Sequence, residues 1–264
     1  MTELKKLHDA KCFLFDMDGT IYLGSKLLPG TEDILAWLKH NGKQTYFLTN
    51  NSSRSRADYV QKLHNLGLPI PAEQIFSSGE ATAIYLEKQK PGARIYLVGT
   101  PSLEQEFRRF GFEMVDDDPD YVVLGFDTTL TYEKLRKLCD FVVEGRPYIA
   151  THPDINCPTE TGFMPDIGAM MALVKTSTGR SPDVVVGKPN QPIVDAIIEK
   201  TGAQKSEIVM VGDRLYTDIA LGQFEITTVL VLSGESKLED VEDSPYKPDF
   251  IVENVGELLS LLQK

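Results

Sequence analysis

The chain is short of positive charge: 27 Lys and Arg face 39 Asp and Glu, a formal net charge of −12. A chain of that sign is repelled at long range by nucleic acid and by anionic membranes, so neither is expected as a partner. Cysteine is scarce too. Cys12, Cys139 and Cys157 are odd in number, widely spaced and form no C-x-x-C, which argues against a disulfide framework or a zinc site. No run approaches the roughly 18 apolar residues that a membrane span needs. The polar stretch from Met1 to Lys11 does not read as a signal peptide. Repeats of short period and low-complexity tracts are missing as well. Together these absences set a reducing cytoplasm as the expected location.

What is there is enough apolar residue, 42% of 264, to bury one large domain or two modest ones. Short β-branched and aromatic runs (residues 11–15, 44–48, 94–98, 121–126, 147–150, 183–186, 207–211, 227–232 and 249–252) alternate with amphipathic stretches such as 31–40, 55–66, 132–144 and 193–201. This order predicts an α/β fold with parallel sheets covered by helices. The strand count suggests more than one sheet. Residues 79–181 carry their own strands and helices and read as an insert, with 1–78 and 182–264 joining around them into a second domain. Both boundaries fall at turn-like sequence, Ser77-Ser78-Gly79 and Thr178-Gly179-Arg180-Ser181-Pro182.

The densest chemical signal is Asp16-Met17-Asp18-Gly19-Thr20, directly after the apolar run 11–15. In extended chain, residues i and i+2 face the same way, so both carboxylates can enter one pocket. Gly19 allows a sharp turn behind them. Two like charges this close repel unless a cation or a shared proton intervenes. A metal-assisted phosphoryl-transfer site with Asp16 as nucleophile accounts for the pattern; an Asp-Gly turn without chemistry is the plainer alternative. Three further apolar runs outside the insert end in groups that handle phosphate. These are Thr49-Asn50-Asn51, Gly187-Lys188-Pro189, and Gly212-Asp213-Arg214 with Asp218 beyond. Ligands in open α/β sheets bind beyond the carboxyl ends of strands, so parallel strands of one sheet would gather all four groups.

With these residues in view, the chain resembles the haloacid dehalogenase-superfamily phosphatases. More narrowly it resembles the NagD-like or nitrophenyl-phosphatase group, which has a Rossmann-like core and a large inserted α/β cap. The matching segments are DMDGTIY (16–22), LTNNS (48–52), VGKPN (186–190), VGDRLYTDI (211–219) and LVLSG (230–234), in the family's order along essentially the whole chain. The resemblance implies an Mg²⁺-dependent phosphomonoester hydrolase working through an aspartyl-phosphate. Asp16 is then the nucleophile, and Asp18 protonates the leaving oxygen and later activates water. Asp213 is implied as a metal ligand beside Asp16 and the backbone carbonyl of Asp18. Asp218 supports that site from behind or caps the following helix. Arg214 orients Asp213 or is simply solvated. Gly19, Thr49, Asn50 and Lys188 are expected to hold the phosphoryl group. The alternatives are a Thr-Asn helix cap at 49–50 and an idle, exposed lysine at 188.

The stretch 151–170, rich in Pro and Gly, reads as a long irregular loop followed by a helical run at 171–176. In the resembled group such a loop of the cap selects the leaving group, which makes His152, Asp154 and Asn156 possible contacts; for His152 a turn or surface role is equally open. Residues 22–27 are expected to form the small flap after the first strand. One departure stands out: Gly222-Gln223-Phe224-Glu225-Ile226 replaces the small Ala-Gly type of turn that relatives usually carry. The expected substrate is a small phosphorylated metabolite: phosphoglycolate, a sugar phosphate, glycerol phosphate or a nucleoside monophosphate. The expected assembly is a monomer or homodimer. Two other functions remain on this sequence, a phosphotransferase or mutase on the same site and a non-catalytic phosphate-binding protein.

Overall fold

A computed structural model describes residues 3–159 and 161–264. The first elements in chain order are α1 (Glu3–Asp9), β1 (Cys12–Phe15), β2 (Tyr22–Leu23), β3 (Lys26–Leu27), α2 (Thr31–His40), β4 (Gln44–Thr49) and α3 (Arg56–Asn65). Next come β5 (Ile75–Ser77), α4 (Ser78–Gln89), β6 (Arg94–Val98), α5 (Pro101–Arg109), β7 (Glu113–Met114), β8 (Tyr121–Leu124) and α6 (Tyr132–Val143). They are followed by β9 (Tyr148–Ala150), β10 (Asn156–Thr159), β11 (Gly162–Pro165), α7 (Ile167–Thr178), β12 (Val184–Val185) and α8 (Gln191–Thr201). The chain closes with β13 (Ile208–Gly212), β14 (Thr227–Val231), α9 (Asp240–Asp243), β15 (Phe250–Val252) and α10 (Val255–Leu262). Among the described residues, no helix is long and apolar enough to cross a membrane.

Two compact units emerge. The first gathers the described residues up to Thr49, then Val60–Phe76 and Ile197–Lys264; the second is Asn50–Tyr59 with Ser77–Ala196. The first unit is built on a six-stranded sheet in the order β15-β14-β13-β1-β4-β5. Parallel pairing runs from Cys12↔Ile208 to Phe15↔Val211 on one side of β1 and from Cys12↔Gln44 to Phe15↔Phe47 on the other. All of β1 and β13 is buried, as strands covered on both faces must be, which is why they read as unbroken apolar runs. Phe15 packs at 6.5 Å from Phe13 and 6.4 Å from Phe47, ring centre to ring centre. Fully burying one such side chain is worth roughly 1.5–3 kcal/mol, so this small cluster stiffens the strand that delivers Asp16. The expected flap is the antiparallel pair β2–β3, with Tyr22 opposite Leu27.

The second unit holds a five-stranded parallel sheet in the order β12-β9-β8-β6-β7. Its core is formed by Val98, Val122, Leu124, Leu138, Val142, Tyr148, Ile167 and Val174. Two sequence expectations are corrected here. The run 183–186 was expected in one sheet with the run 11–15. It forms only Val184–Val185, and these pair with Ile149 and Ala150 at the edge of the five-stranded sheet. A run this short has no pattern that selects its sheet; its partner is chosen by packing. The stretch 151–170 is also not an irregular loop. Asn156–Thr159 and Gly162–Pro165 form an antiparallel hairpin, and α7 starts at Ile167, four residues ahead of the expected helical run. All four residues of β11 are exposed, so the strand lacks the buried alternation that betrays strands in a sequence.

Candidate active site

In the first unit, the carboxyl end of β1 passes directly into Asp16, whose amide N–H donates to the Val211 carbonyl at 2.8 Å. That bond extends the β1–β13 ladder by one residue and sets Asp16 beside the end of β13, where Asp213 follows. Carboxylate oxygens of Asp16, Asp213 and Asp218 lie within 4.8 Å of one another. Asp213 and Asp218 are buried, Asp16 partly so. Asp213 Oδ2 accepts from the Glu235 amide at 2.7 Å. Its other oxygen, Oδ1, is buried without a hydrogen-bond partner among the described residues. Burial, together with the neighbouring charges of Asp16 and Asp218, pushes Asp213 up to about 8.

The turn residues make room for this cluster. Gly19 has φ +84°, and a Cβ there would sit 2.5 Å from Asp213 Oδ2, so both its backbone conformation and its lack of a side chain are needed. The Gly19 carbonyl accepts from Ser233 Oγ at 2.7 Å. Asp218 accepts from the Arg214 amide at 3.1 Å and makes no side-chain cap on the short helical turn Ile219–Phe224 that follows it. Arg214 is not simply solvated: its Nε pairs with Glu235 at 2.9 Å, and only 15% of its side chain is exposed. The loop 233–236 therefore closes over the cluster through Ser233, Glu235 and Ser236, whose amide donates to the Asp213 carbonyl at 3.1 Å. Sequence reasoning quoted the start of that loop but gave none of these residues a role. A polar Ser-Gly-Glu-Ser run directly after a buried strand was the available signal.

The Asp18 side chain stands outside the trio. More than half of it, 57%, is exposed, and Oδ2 lies 3.6 Å from Lys62 Nζ. Protein atoms crowding the carboxyl raise it above the ordinary range; the Lys62 charge opposes that and the Asp16 charge adds to it. Thr49, the last residue of β4, is buried.

The second unit brings together Asn50, Lys188 and Asp154. The Asn50 side chain accepts from the Lys188 amide at 2.9 Å and donates to the Lys188 carbonyl at 3.0 Å and to Asp154 at 2.8 Å. A double bond of this kind clamps one peptide unit, and Lys188 is 2% exposed rather than an idle surface lysine. Gly187 permits the approach, since a Cβ there would lie 2.8 Å from Asn50 Oδ1. His152 is fully buried. Its Nε2 meets Asp166 at 3.0 Å, and its Nδ1 meets Thr151 Oγ1 at 3.1 Å and Ser78 Oγ at 3.4 Å. The Ser78 hydroxyl in turn donates to the Asn50 carbonyl, and Thr151 shares a hydrogen bond with Ser52 at 2.9 Å. His152 thus presents no surface in this conformation, whereas Asn156, on the hairpin, is exposed. The partners of His152 and Asn50 lie up to 138 residues away in sequence, beyond the reach of local pattern.

Known proteins resemble this arrangement over its full length. Residues 13–113 match the family model of haloacid dehalogenase-like hydrolases, and residues 185–258 match the HAD-hydrolase-like model. An acid sugar phosphatase of Staphylococcus aureus is 36% identical over 96% of this chain and 98% of its own. The solved 4-nitrophenylphosphatase from Thermotoga maritima is 49% identical, with a TM-score of 0.95, over 98% of this chain and 99% of that one. A glycerol phosphate phosphatase from Mycobacterium tuberculosis, solved in complex with calcium, is 29% identical with a TM-score of 0.88; the match covers 98% of this chain and 76% of that one.

Proposed function

The chain belongs to the haloacid dehalogenase-like hydrolase family and is a phosphatase, and from that premise we propose that it hydrolyses small phosphomonoesters through an aspartyl-phosphate on Asp16, with Mg²⁺ as cofactor. The observation that carries the reading is the buried oxygen of Asp213 that lacks a hydrogen-bond partner among the described residues, inside a group of three carboxylates. Three such charges in a buried cluster are unfavourable alone and favourable around a cation. The donors are all oxygen, which suits a hard divalent ion. Asp16, Asp213 and the backbone carbonyl of Asp18 would hold it, with Asp218 behind. When bound, such an ion neutralises the carboxylates and the phosphoryl oxygens together.

The protein's own residues then divide the work. Asp16, anchored through its amide to β13, offers a carboxylate oxygen to phosphorus. Asp18, at the open side, gives a proton to the departing oxygen and takes one from water in the second half. Thr49 and the backbone at Asn50 are assigned to the phosphoryl oxygens, because the Asn50 side chain is already engaged with Lys188 and Asp154. Lys188 supplies the countercharge. The functional division into a core (1–78 and 182–264) and a cap (79–181) belongs to the same proposal, with Val184–Val185 of the core segment lent to the edge of the second unit's sheet.

The names of the relatives favour sugar phosphates, glycerol phosphate and nitrophenyl phosphate as substrates to try first. A panel of phosphorylated metabolites, read as kcat/KM with Mg²⁺, tests the class. We expect stoichiometric free phosphate, dependence on the divalent ion, and loss of turnover by about a thousandfold or more in Asp16→Asn. Undiminished turnover in that variant would remove Asp16 as nucleophile, and transfer of phosphate to a second hydroxyl would replace hydrolysis by phosphotransfer.

A further inference from the structure

Lys62 has no part in the scheme above, yet it stands against its acid–base residue. It is carried by α3, and its Nζ lies 3.6 Å from Asp18 Oδ2 and 3.8 Å from the centre of the Tyr22 ring. Tyr22 is 2% exposed and is tied to the same turn: its carbonyl accepts from the Gly19 amide at 2.8 Å, and its amide donates to the Met17 carbonyl at 3.2 Å. The ring is therefore a fixed platform. An ammonium over an aromatic face is attracted by the ring's negative face, the more so the drier the contact. That restrains an otherwise flexible lysine. Once it has given up its proton, Asp18 has reason to lean toward that ammonium, since Asp16 two residues away is a carboxyl group too.

A partly exposed ion pair contributes little to stability, so the pair is poorly explained as a fold-holding device. It is well explained as a way of fixing where one carboxyl points. We propose that Lys62, steadied on the face of Tyr22, is a positioning residue for Asp18 in proton transfer to the leaving oxygen. This rests on the reading of Asp18 as the general acid. In the step concerned, a carboxylate oxygen of Asp16 forms its bond to phosphorus while the bond from phosphorus to the ester oxygen breaks. The electron pair of the broken bond stays on that oxygen, and the Asp18 proton moves to it. Asp18 is left as a carboxylate beside the Lys62 ammonium.

The need for that proton depends on the leaving group. A departing alkoxide is strongly basic and must be protonated; a departing p-nitrophenolate is weakly basic and leaves largely unaided. kcat/KM covers the steps through departure of the leaving group, so the ratio of kcat/KM for glycerol phosphate to that for p-nitrophenyl phosphate isolates proton donation. The experiment compares this ratio in the full chain with Mg²⁺ for the native protein, Lys62→Met, Lys62→Arg and Asp18→Asn, with thermal melting as the check on folding. We expect the ratio to fall in Asp18→Asn and, by about tenfold, in Lys62→Met. In Lys62→Arg, which keeps a cation over the ring, it should recover. A ratio that falls in Asp18→Asn but holds in Lys62→Met overturns the role of Lys62 and leaves Asp18 as the acid. A ratio that holds in both overturns the acid itself. A loss of equal size on both substrates in Lys62→Met assigns the lysine to binding or folding instead, and also ends the proposal.

Discussion

Two polar clusters, one in each unit, answer the same physical problem in opposite ways. In the second unit Asp166, His152, Thr151, Ser78, Ser52 and Asn50 form a continuous hydrogen-bonded network, with each side chain finding a partner among the others or in the backbone. Such a network is what rigidifies a scaffold. In the first unit three carboxylates crowd together and Asp213 Oδ1 is left unmatched among the described residues. Native interiors hold few such atoms, and each calls for an account. The difference teaches where to look for chemistry: the satisfied network clamps Lys188, and the unsatisfied cluster is where the proposed cation would be held.

The sharpest way to break this comparison is to neutralise one carboxylate. Asp213→Asn should lower kcat by about a thousandfold or more and abolish stabilisation by Mg²⁺. In chelator the same variant should melt higher than the native chain, because a like charge is gone. A pH series in chelator makes the sign explicit. Burial and the neighbouring carboxylates push Asp213 up to about 8 in the folded chain, from an ordinary value near 3.9 in the unfolded one. Between those values the folded form holds the extra proton, so the Asp213 contribution to native stability falls as pH rises from about 4 toward 8 and changes no further outside that window. Melting curves of the two proteins should converge at low pH and separate at high pH. Curves that stay parallel would show that the cluster is not frustrated.

The satisfied network should behave in the reverse manner. His152→Ala removes one of the two hydrogen-bond partners of the buried Asp166 carboxylate, which keeps the Ile167 amide, and should destabilise the fold by about 1–3 kcal/mol, with or without Mg²⁺. Denaturant unfolding reads this directly, and a loss under 1 kcal/mol would mean that the network holds little together. The smallest effect is expected at Glu225, which ends the turn Ile219–Phe224 in the left-handed region at φ +68°. A non-glycine residue there costs about 1–2 kcal/mol, while glycine loses roughly 0.5–1 kcal/mol in chain entropy. Glu225→Gly should therefore raise stability by under about 1 kcal/mol. A decrease would mean that the Glu225 side chain supports the turn.

That turn also shows what could be read in advance. The departure of 222–226 from the usual sequence was visible, and its structural price is one strained residue rather than a lost element. The meeting of Asp16 with Asp213 was legible because each follows an apolar run whose composition betrays a strand, and because short motifs fix their immediate neighbours. The doubly wound alternation was legible for the same reason. Sheet membership of Val184–Val185 was not, since two residues carry no periodicity and the choice between sheets is made by packing. The hairpin β10–β11 was hidden by its exposure and by Pro158 and Gly162, which ordinarily mark a loop. Lys62 was hidden because a lysine on a helix reads as solvated; only Tyr22 and Asp18, about forty positions earlier, give it a meaning.

The bareness of that hairpin has an evolutionary corollary. Replacements at open positions generally shift folding free energy by no more than about ±0.5 kcal/mol, whereas truncating a buried phenylalanine in β1 would forfeit roughly 3–5 kcal/mol. Mutation can therefore wander through residues 162–165 almost neutrally, while the strand beneath Asp16 is held still by selection. If the hairpin selects the substrate, as the resemblance implies for that stretch, a lineage built on this plan can change its diet without relearning how to fold.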